Sequence, residues 1–273
     1  MFWTRVVSGV MLAIIALVTL IMGGPLLMAV IYFISLVGYR ELCKAVGIHT
    51  EGKFVNGLEI VGMLGITGYY AALFFADNLL LVLMAVILTF MGSMFVYVAT
   101  FPKYNAEQVM SNFFSFVYAP VMLSFIYLTR NLNHGIYLVW LVFISSWVCD
   151  TCAYLVGISI GKKKIFPVLS PKKSLEGCIG GVVGAGLIGG LYGYFLLEKV
   201  IVDQNVTWII VLISMIGAVM SQVGDLAASA IKRNHEIKDY GKLIPGHGGI
   251  MDRFDSVIVT APMIYFLAAL LIK

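Results

Sequence analysis

Nine apolar runs constrain this chain more than any other feature, at roughly 6–22, 26–38, 58–75, 79–100, 109–128, 136–157, 177–197, 206–231 and 256–272. About 20 helical residues cross the hydrocarbon core of a bilayer. A helix also satisfies its own backbone N–H and C=O groups, which lipid cannot do. Eight of the nine runs are about long enough to span. The second is short and follows Gly23, Gly24 and Pro25, so it either extends toward Arg40 or is re-entrant. Composition agrees: only 12% of the 273 residues are charged and 61% are apolar, whereas a soluble domain carries about 25% charged residues. The expectation is an all-α polytopic integral membrane protein with about nine transmembrane helices. No small-x-small cleavage site follows the first run, and a second apolar run comes at once, so the first run is not expected to be a removable signal peptide.

Lysine and arginine set the orientation. With nine spans, 15 of the 18 fall on one side, and only Arg130, Lys199 and Lys273 fall on the other. The richer side should be cytoplasmic, where it meets anionic head groups or nucleotide phosphates. Cys43, Cys149, Cys152 and Cys178 all avoid the outer loops, and the Cys149/Cys152 pair reads as small residues packing in a helix.

Residues 1–135 and 136–273 differ in character. The first region reads as membrane helices for packing and lipid access. Glu59 stands near one of its runs, possible at an interface, and no chemistry is apparent there. The second region holds Asp150, the lysine-rich loop 162–173, a glycine-dense helix, Asp225 and the stretch KLIPGHGGIMDRFDS. In the glycine-dense helix Gly180/Gly184 and Gly186/Gly190 sit four apart, a spacing for close helix contact either within the chain or across a dimer.

Ionisable groups within a span are costly and point to function. Asp150 and Asp225 qualify. Ser229 and Lys232 follow Asp225 at helical spacing and share its face, which ends at Lys232 and Arg233. Asp252 and Asp255 are three apart at the start of the last run. Pro245, Gly246, Gly248 and Gly249 make a loop whose backbone N–H groups suit phosphate oxygens. Carboxylates beside lysines and such a loop suggest Mg²⁺ bridging a phosphate chain, with one or two protein carboxylates in its shell. The shared pair is expected to be Asp225 and Asp252, with Asp255 and Asp150 as further candidate ligands. The histidines lack zinc-ligand spacing. In the run Ser170-Pro171-Lys172-Lys173-Ser174, two lysines and flanking hydroxyls suit a phosphate group. Arg253, between Asp252 and Asp255, offers a bidentate fork for another.

Residues 229–255 resemble the signature of the phosphatidate cytidylyltransferase, or CDP-diglyceride synthase, family. The matching positions include Ser229, Lys232, Arg233, Lys238, Asp239, Pro245, His247, Gly248, Gly249, Asp252, Arg253 and Asp255. Asp150, Thr151, Ala153 and Tyr154 match a second element, and Ser170–Ser174 with Glu176 and Gly177 match a third. The resemblance implies CTP and phosphatidic acid giving CDP-diacylglycerol and pyrophosphate, with Mg²⁺ and in some members a monovalent cation such as K⁺. It also implies a homodimer, with membrane lipid but no nucleic acid as partner. The sequence does not distinguish a bacterial plasma (inner) membrane from an organellar one, though the compactness of the multi-pass chain favours the first, and the basic residues place the active site at the cytoplasmic face. Asp225, Asp252, Lys232 and Arg253 are then the expected catalytic set. Lys172, Lys173, Ser174, Ser229, Arg233, Lys238, His247, Gly248 and Gly249 are the expected substrate contacts. A CTP-dependent lipid-alcohol kinase is the rival enzyme, and a cation transporter using Asp150 and Asp225 is the rival of another class.

Overall fold

The computed structural model describes residues 2–49, 55–76, 78–202, 205–244, 246 and 248–272, with side chains from residue 9 onward. Among these residues nine helices follow in order: α1 Phe2–Met22, α2 Gly24–Ala45, α3 Gly57–Ala76, α4 Leu79–Ala99, α5 Ala106–Arg130, α6 Gly135–Ile160, α7 Leu175–Phe195, α8 Val206–Asn234 and α9 Met251–Leu271. There is no strand among them, only isolated bridges at Lys164–Ser174 and Ile244–Gly248. Eight of the helices are long and apolar enough to cross a membrane; the described apolar part of α1, Gly9–Met22, is shorter. The protein is therefore a multi-pass membrane protein. The doubtful second run resolves into a 22-residue helix. Pro25 costs it nothing, because a proline at the first turn removes an N–H that has no helical partner.

Helix starts follow local chemistry. Asn56 and Glu59 form a reciprocal capping box at α3, and Asn105 and Gln108 form another at α5. Pro120 lies in a wide π-type turn at Val117–Val121 inside α5. Little of α4 is buried, and Leu79, Leu80, Phe95 and Val98 are exposed, as a lipid-facing helix requires.

The helices form two compact units, one of residues 1–124 with 234–253 and the other of residues 125–233 with 254–273. The signature loop clusters with the N-terminal helices. The first unit is tied by buried polar contacts. Tyr39 Oη donates to Asn112 Oδ1 at 2.5 Å, and Asn112 Nδ2 donates to Ser93 Oγ at 3.1 Å. Tyr70 Oη donates to the Pro120 carbonyl at 2.9 Å and lies 2.7 Å from Ser35 Oγ. Such bonds join helices where apolar surface gains little by leaving lipid. Glu59, in the first turn of α3, is fully buried within the protein, with His49 Nδ1 3.0 Å from its carboxylate.

In the second unit α7 packs through its glycines. A Cβ at Gly180 would strike Val156 and one at Gly184 would strike Cys152, both on α6. A Cβ at Gly186 would strike Met215 and one at Gly190 would strike Val211, both on α8. Both four-residue pairs are therefore used within the chain. All four cysteines are free, and Gln222 Nε2 donates to the Cys178 carbonyl at 2.9 Å beside Cys149.

Candidate active site

The second unit carries a cluster of charge. Helix α8 runs unbroken through Asp225, Ser229 and Lys232, so the one-face spacing read from the sequence holds. The loop before α7 brings Lys173 to Asp225, where Nζ and Oδ2 form an ion pair. Both side chains are about a quarter exposed, at 21% and 31%. The loop is organised by its own groups: Glu176 accepts the Lys162 N–H at 3.0 Å, Lys164 Nζ donates to the Lys172 carbonyl at 3.1 Å, and Leu175 N donates to the Lys163 carbonyl at 2.9 Å. Lys172 is exposed. Ser174 is buried and caps α7, accepting the Gly177 N–H at 3.2 Å.

Asp150 of α6 and Asp255 of α9 join this cluster electrostatically. The charges of Asp150, Asp225 and Lys173 act on one another, and those of Asp225, Lys232 and Asp150 act on Asp255. Gly224 permits the approach, since a Cβ there would lie 2.7 Å from the Asp255 carbonyl oxygen. Among the described residues no three His, Cys, Asp or Glu side chains are arranged to hold a metal ion.

The first unit carries the signature loop. Ile244 N donates to the Gly248 carbonyl at 2.9 Å, closing a turn in which Gly248 adopts φ +83°. A side chain would be strained at that φ. Asp252 Oδ2 accepts two loop amides, Tyr240 at 2.9 Å and Gly249 at 3.0 Å. Glu41 of α2 accepts two more, Ile250 at 3.1 Å on Oε1 and Met251 at 2.9 Å on Oε2. The glycines therefore serve carboxylates of the chain itself. A Cβ on Gly248 would come within 2.8 Å of Asp252 Oδ2, and one on Gly249 would strike Glu41 Oε2. The expected use of the Gly249 N–H toward a phosphate differs from what is seen, because that N–H is spent on Asp252.

The whole chain, not only its C-terminal half, matches known proteins. A model of the cytidylyltransferase family matches residues 3–271. The chain belongs to that family. Among its relatives, the phosphatidate cytidylyltransferase of Bacillus subtilis (strain 168) is 31% identical over 276 residues, covering 97% of each chain. That of Staphylococcus saprophyticus is 29% identical over 266 residues, covering 96% of this chain and 97% of the relative. That of Staphylococcus aureus (strain COL) is 38% identical over 154 residues, covering 56% of each.

Against the family signature, the structure brings Lys173, Asp225, Asp150, Asp255 and Lys232 into one electrostatic cluster. Asp252 belongs to the first unit and Asp225 to the second. Ser229 is half-buried on the Asp225 face, while Arg233, Lys238 and Arg253 are exposed. His247 and Pro245 lie outside the described residues. Glu41 is the residue the sequence reading missed. It stands three positions after the buried Gly38, in a helix whose buried positions also include Ser35 and Leu42, and that placement is the signal that marks it.

Proposed function

We propose that the chain transfers a cytidylyl group from CTP to phosphatidic acid, giving CDP-diacylglycerol and pyrophosphate. The observation that carries this reading is the Lys173–Asp225 pair with the charges of Asp150, Asp255 and Lys232 acting on it, in a chain that relatives of that name match over 96–97% of its length. A phosphate oxygen of the lipid attacks the α-phosphorus of CTP. The bond to the bridging α–β oxygen breaks, and its electron pair leaves with pyrophosphate. The lipid phosphate is already anionic, so no strong general base is needed. The barrier lies in joining two polyanions and stabilising the charge that develops on the leaving group.

The donors present fit Mg²⁺. This ion takes one or two carboxylates and fills its shell with water and phosphate oxygens, rather than needing a closed protein cage. Asp225 already accommodates a cation, the Lys173 ammonium. Asp225 would hold the ion, with the charges of Asp150 and Asp255 acting on that position. When bound it would supply charge neutralisation at the phosphates. A monovalent cation such as K⁺ is expected nearby, read as a loss of turnover when K⁺ is replaced by a bulky organic cation. Lys173, Lys172 and Lys232 hold phosphate oxygens, and Ser229 and Arg233 extend that surface along α8; Lys238, in the loop beyond that helix, is a further expected phosphate contact. Purified protein given CTP and phosphatidic acid should release pyrophosphate and form CDP-diacylglycerol. Phosphorylation of a lipid alcohol, or cation flux without CTP consumption, would overturn the reading.

The face carrying 15 of the 18 Lys and Arg residues is the cytoplasmic side of a plasma membrane in this reading, since both CTP and that charge asymmetry belong there. A homodimer is expected as well. Light scattering on detergent-solubilised protein should give twice 29.9 kDa after detergent is subtracted.

Arg253, in the first turn of α9, is assigned to a substrate phosphate. Arg253→Lys keeps the charge and loses the fork. It should lower kcat/KM by about tenfold with an unchanged melting point, on the scale of one charge-assisted hydrogen bond. If Arg253→Lys retains activity and Arg253→Ala mainly lowers thermal stability, Arg253 is a loop brace instead.

A further inference from the structure

We infer that Glu41, in the N-terminal half of the chain, is a positioning residue for the signature loop: it caps the helix that carries Asp252 and Arg253. Three observations converge. Glu41 is 8% exposed, and its two oxygens accept two successive backbone N–H groups, Ile250 at 3.1 Å and Met251 at 2.9 Å. Those two amides open α9, which begins at Met251, and a helix leaves its first N–H groups without partners of its own. A carboxylate from another helix therefore fills the place that a local cap residue usually takes. Two glycines are spent on bringing it there. A Cβ at Gly241 would strike Glu41 Oε1, and one at Gly249 would strike Oε2.

The position of Glu41 in its own helix argues against a merely local role. It lies in the last turns of α2, where the helix dipole disfavours an anion. Something must compensate, and the N-terminal end of α9 does. The loop is thereby held at two carboxylates. Asp252 ties Tyr240 and Gly249 from within, and Glu41 ties Ile250 and Met251 from α2. Loss of either leaves amides of the same turn unpaired in a buried place, so the direction in which α9 presents Asp252 and Arg253 is no longer fixed.

This inference rests on the cytidylyltransferase reading only for its kinetic arm. The test uses the full-length protein in detergent micelles. Glu41→Gln keeps the shape, but its amide NH₂ faces an N–H donor, so one of the two bonds must fail. Hydrogen exchange over residues 240–252 should accelerate at least about tenfold, the scale set by losing one bond to a charged group. Exchange elsewhere in the first unit should stay within about twofold of wild type. The kcat/KM for CTP should fall at least about tenfold in parallel, a loss that Glu41→Asp, one methylene too short to reach both amides, should not restore. Gly249→Ala is the second variant, and it displaces the same carboxylate from the loop side. It should give the same local signature, and it keeps the test decisive should Glu41→Gln fail to fold. Unchanged exchange over 240–252 would overturn the inference. So would faster exchange with normal kinetics, or acceleration spread evenly through the unit. A wild-type protein without CTP turnover would refute the functional reading, while the exchange arm would still decide the role of Glu41.

Discussion

Asp225→Asn should lower CTP turnover by at least about 10²–10³-fold, the usual scale for removing one preorganised electrostatic group from an active site. Helix content and melting point should stay near wild type. Asparagine has the shape of aspartate, α8 is a long helix of 29 residues, and the Asp225 side chain is 31% exposed, so little packing is at stake. The charge is what matters. Asp225 is the carboxylate that both Asp150 and Asp255 sense and that Lys173 neutralises. Were the pair only a bundle brace, the same change would cost stability and spare turnover. Near-normal rates at low Mg²⁺ would therefore remove Asp225 from the reaction. Asp252→Asn is a different experiment, although the sequence suggested one shared metal. Asp252 Oδ2 holds the Tyr240 and Gly249 amides, so its loss should loosen the loop as well as lower turnover. Retention of activity at low Mg²⁺ in Asp252→Asn would overturn the shared Asp225/Asp252 metal that the sequence suggested.

The legibility of this chain divides along physical lines. Spans were readable because lipid imposes one length and one composition, and α2 was obscured only because its apolar run ends before Arg40 while the helix continues to Ala45. The face of Asp225, Ser229 and Lys232 was readable because periodicity is local. The Lys173–Asp225 pair was not, since it joins a loop to a distant helix and periodicity carries no information about such contacts. Glycines misled for a specific reason. A missing Cβ admits either a ligand or the chain's own atoms, and in the loop around Gly241, Gly248 and Gly249 those atoms are the carboxylates of Glu41 and Asp252. The same ambiguity governed α7, whose four-residue glycine pairs suit a dimer in sequence and meet α6 and α8 in the structure. Glu41 was hidden by its neighbours, because an acid beside Arg40 and Lys44 at the end of an apolar run reads as a solvated helix terminus.

Lys173→Gln should move metal binding and turnover in opposite directions. The Lys173 ammonium sits on Asp225 Oδ2, among Asp150 and Asp255, and so acts as the cluster's resident counter-ion. A divalent cation arriving at Asp225 competes with it. Deleting that positive charge should tighten Mn²⁺ binding to the nucleotide-free protein by about tenfold, within the range expected for removing a unit charge about 4 Å away under intermediate screening. Turnover should nevertheless fall by about 10²-fold, because an ammonium released from Asp225 is the group placed to hold a phosphate of CTP or of the lipid. Changing Lys172 as well leaves 13 basic residues against 3 on the opposite side, so orientation in the membrane should hold and cannot account for the loss. Spin-resonance titration with Mn²⁺ reads the first effect and pyrophosphate release reads the second. Weaker Mn²⁺ binding together with lost turnover would mean that Lys173 shapes the site rather than competing for it. Normal turnover would reduce the lysine-rich loop to a signal for membrane topology.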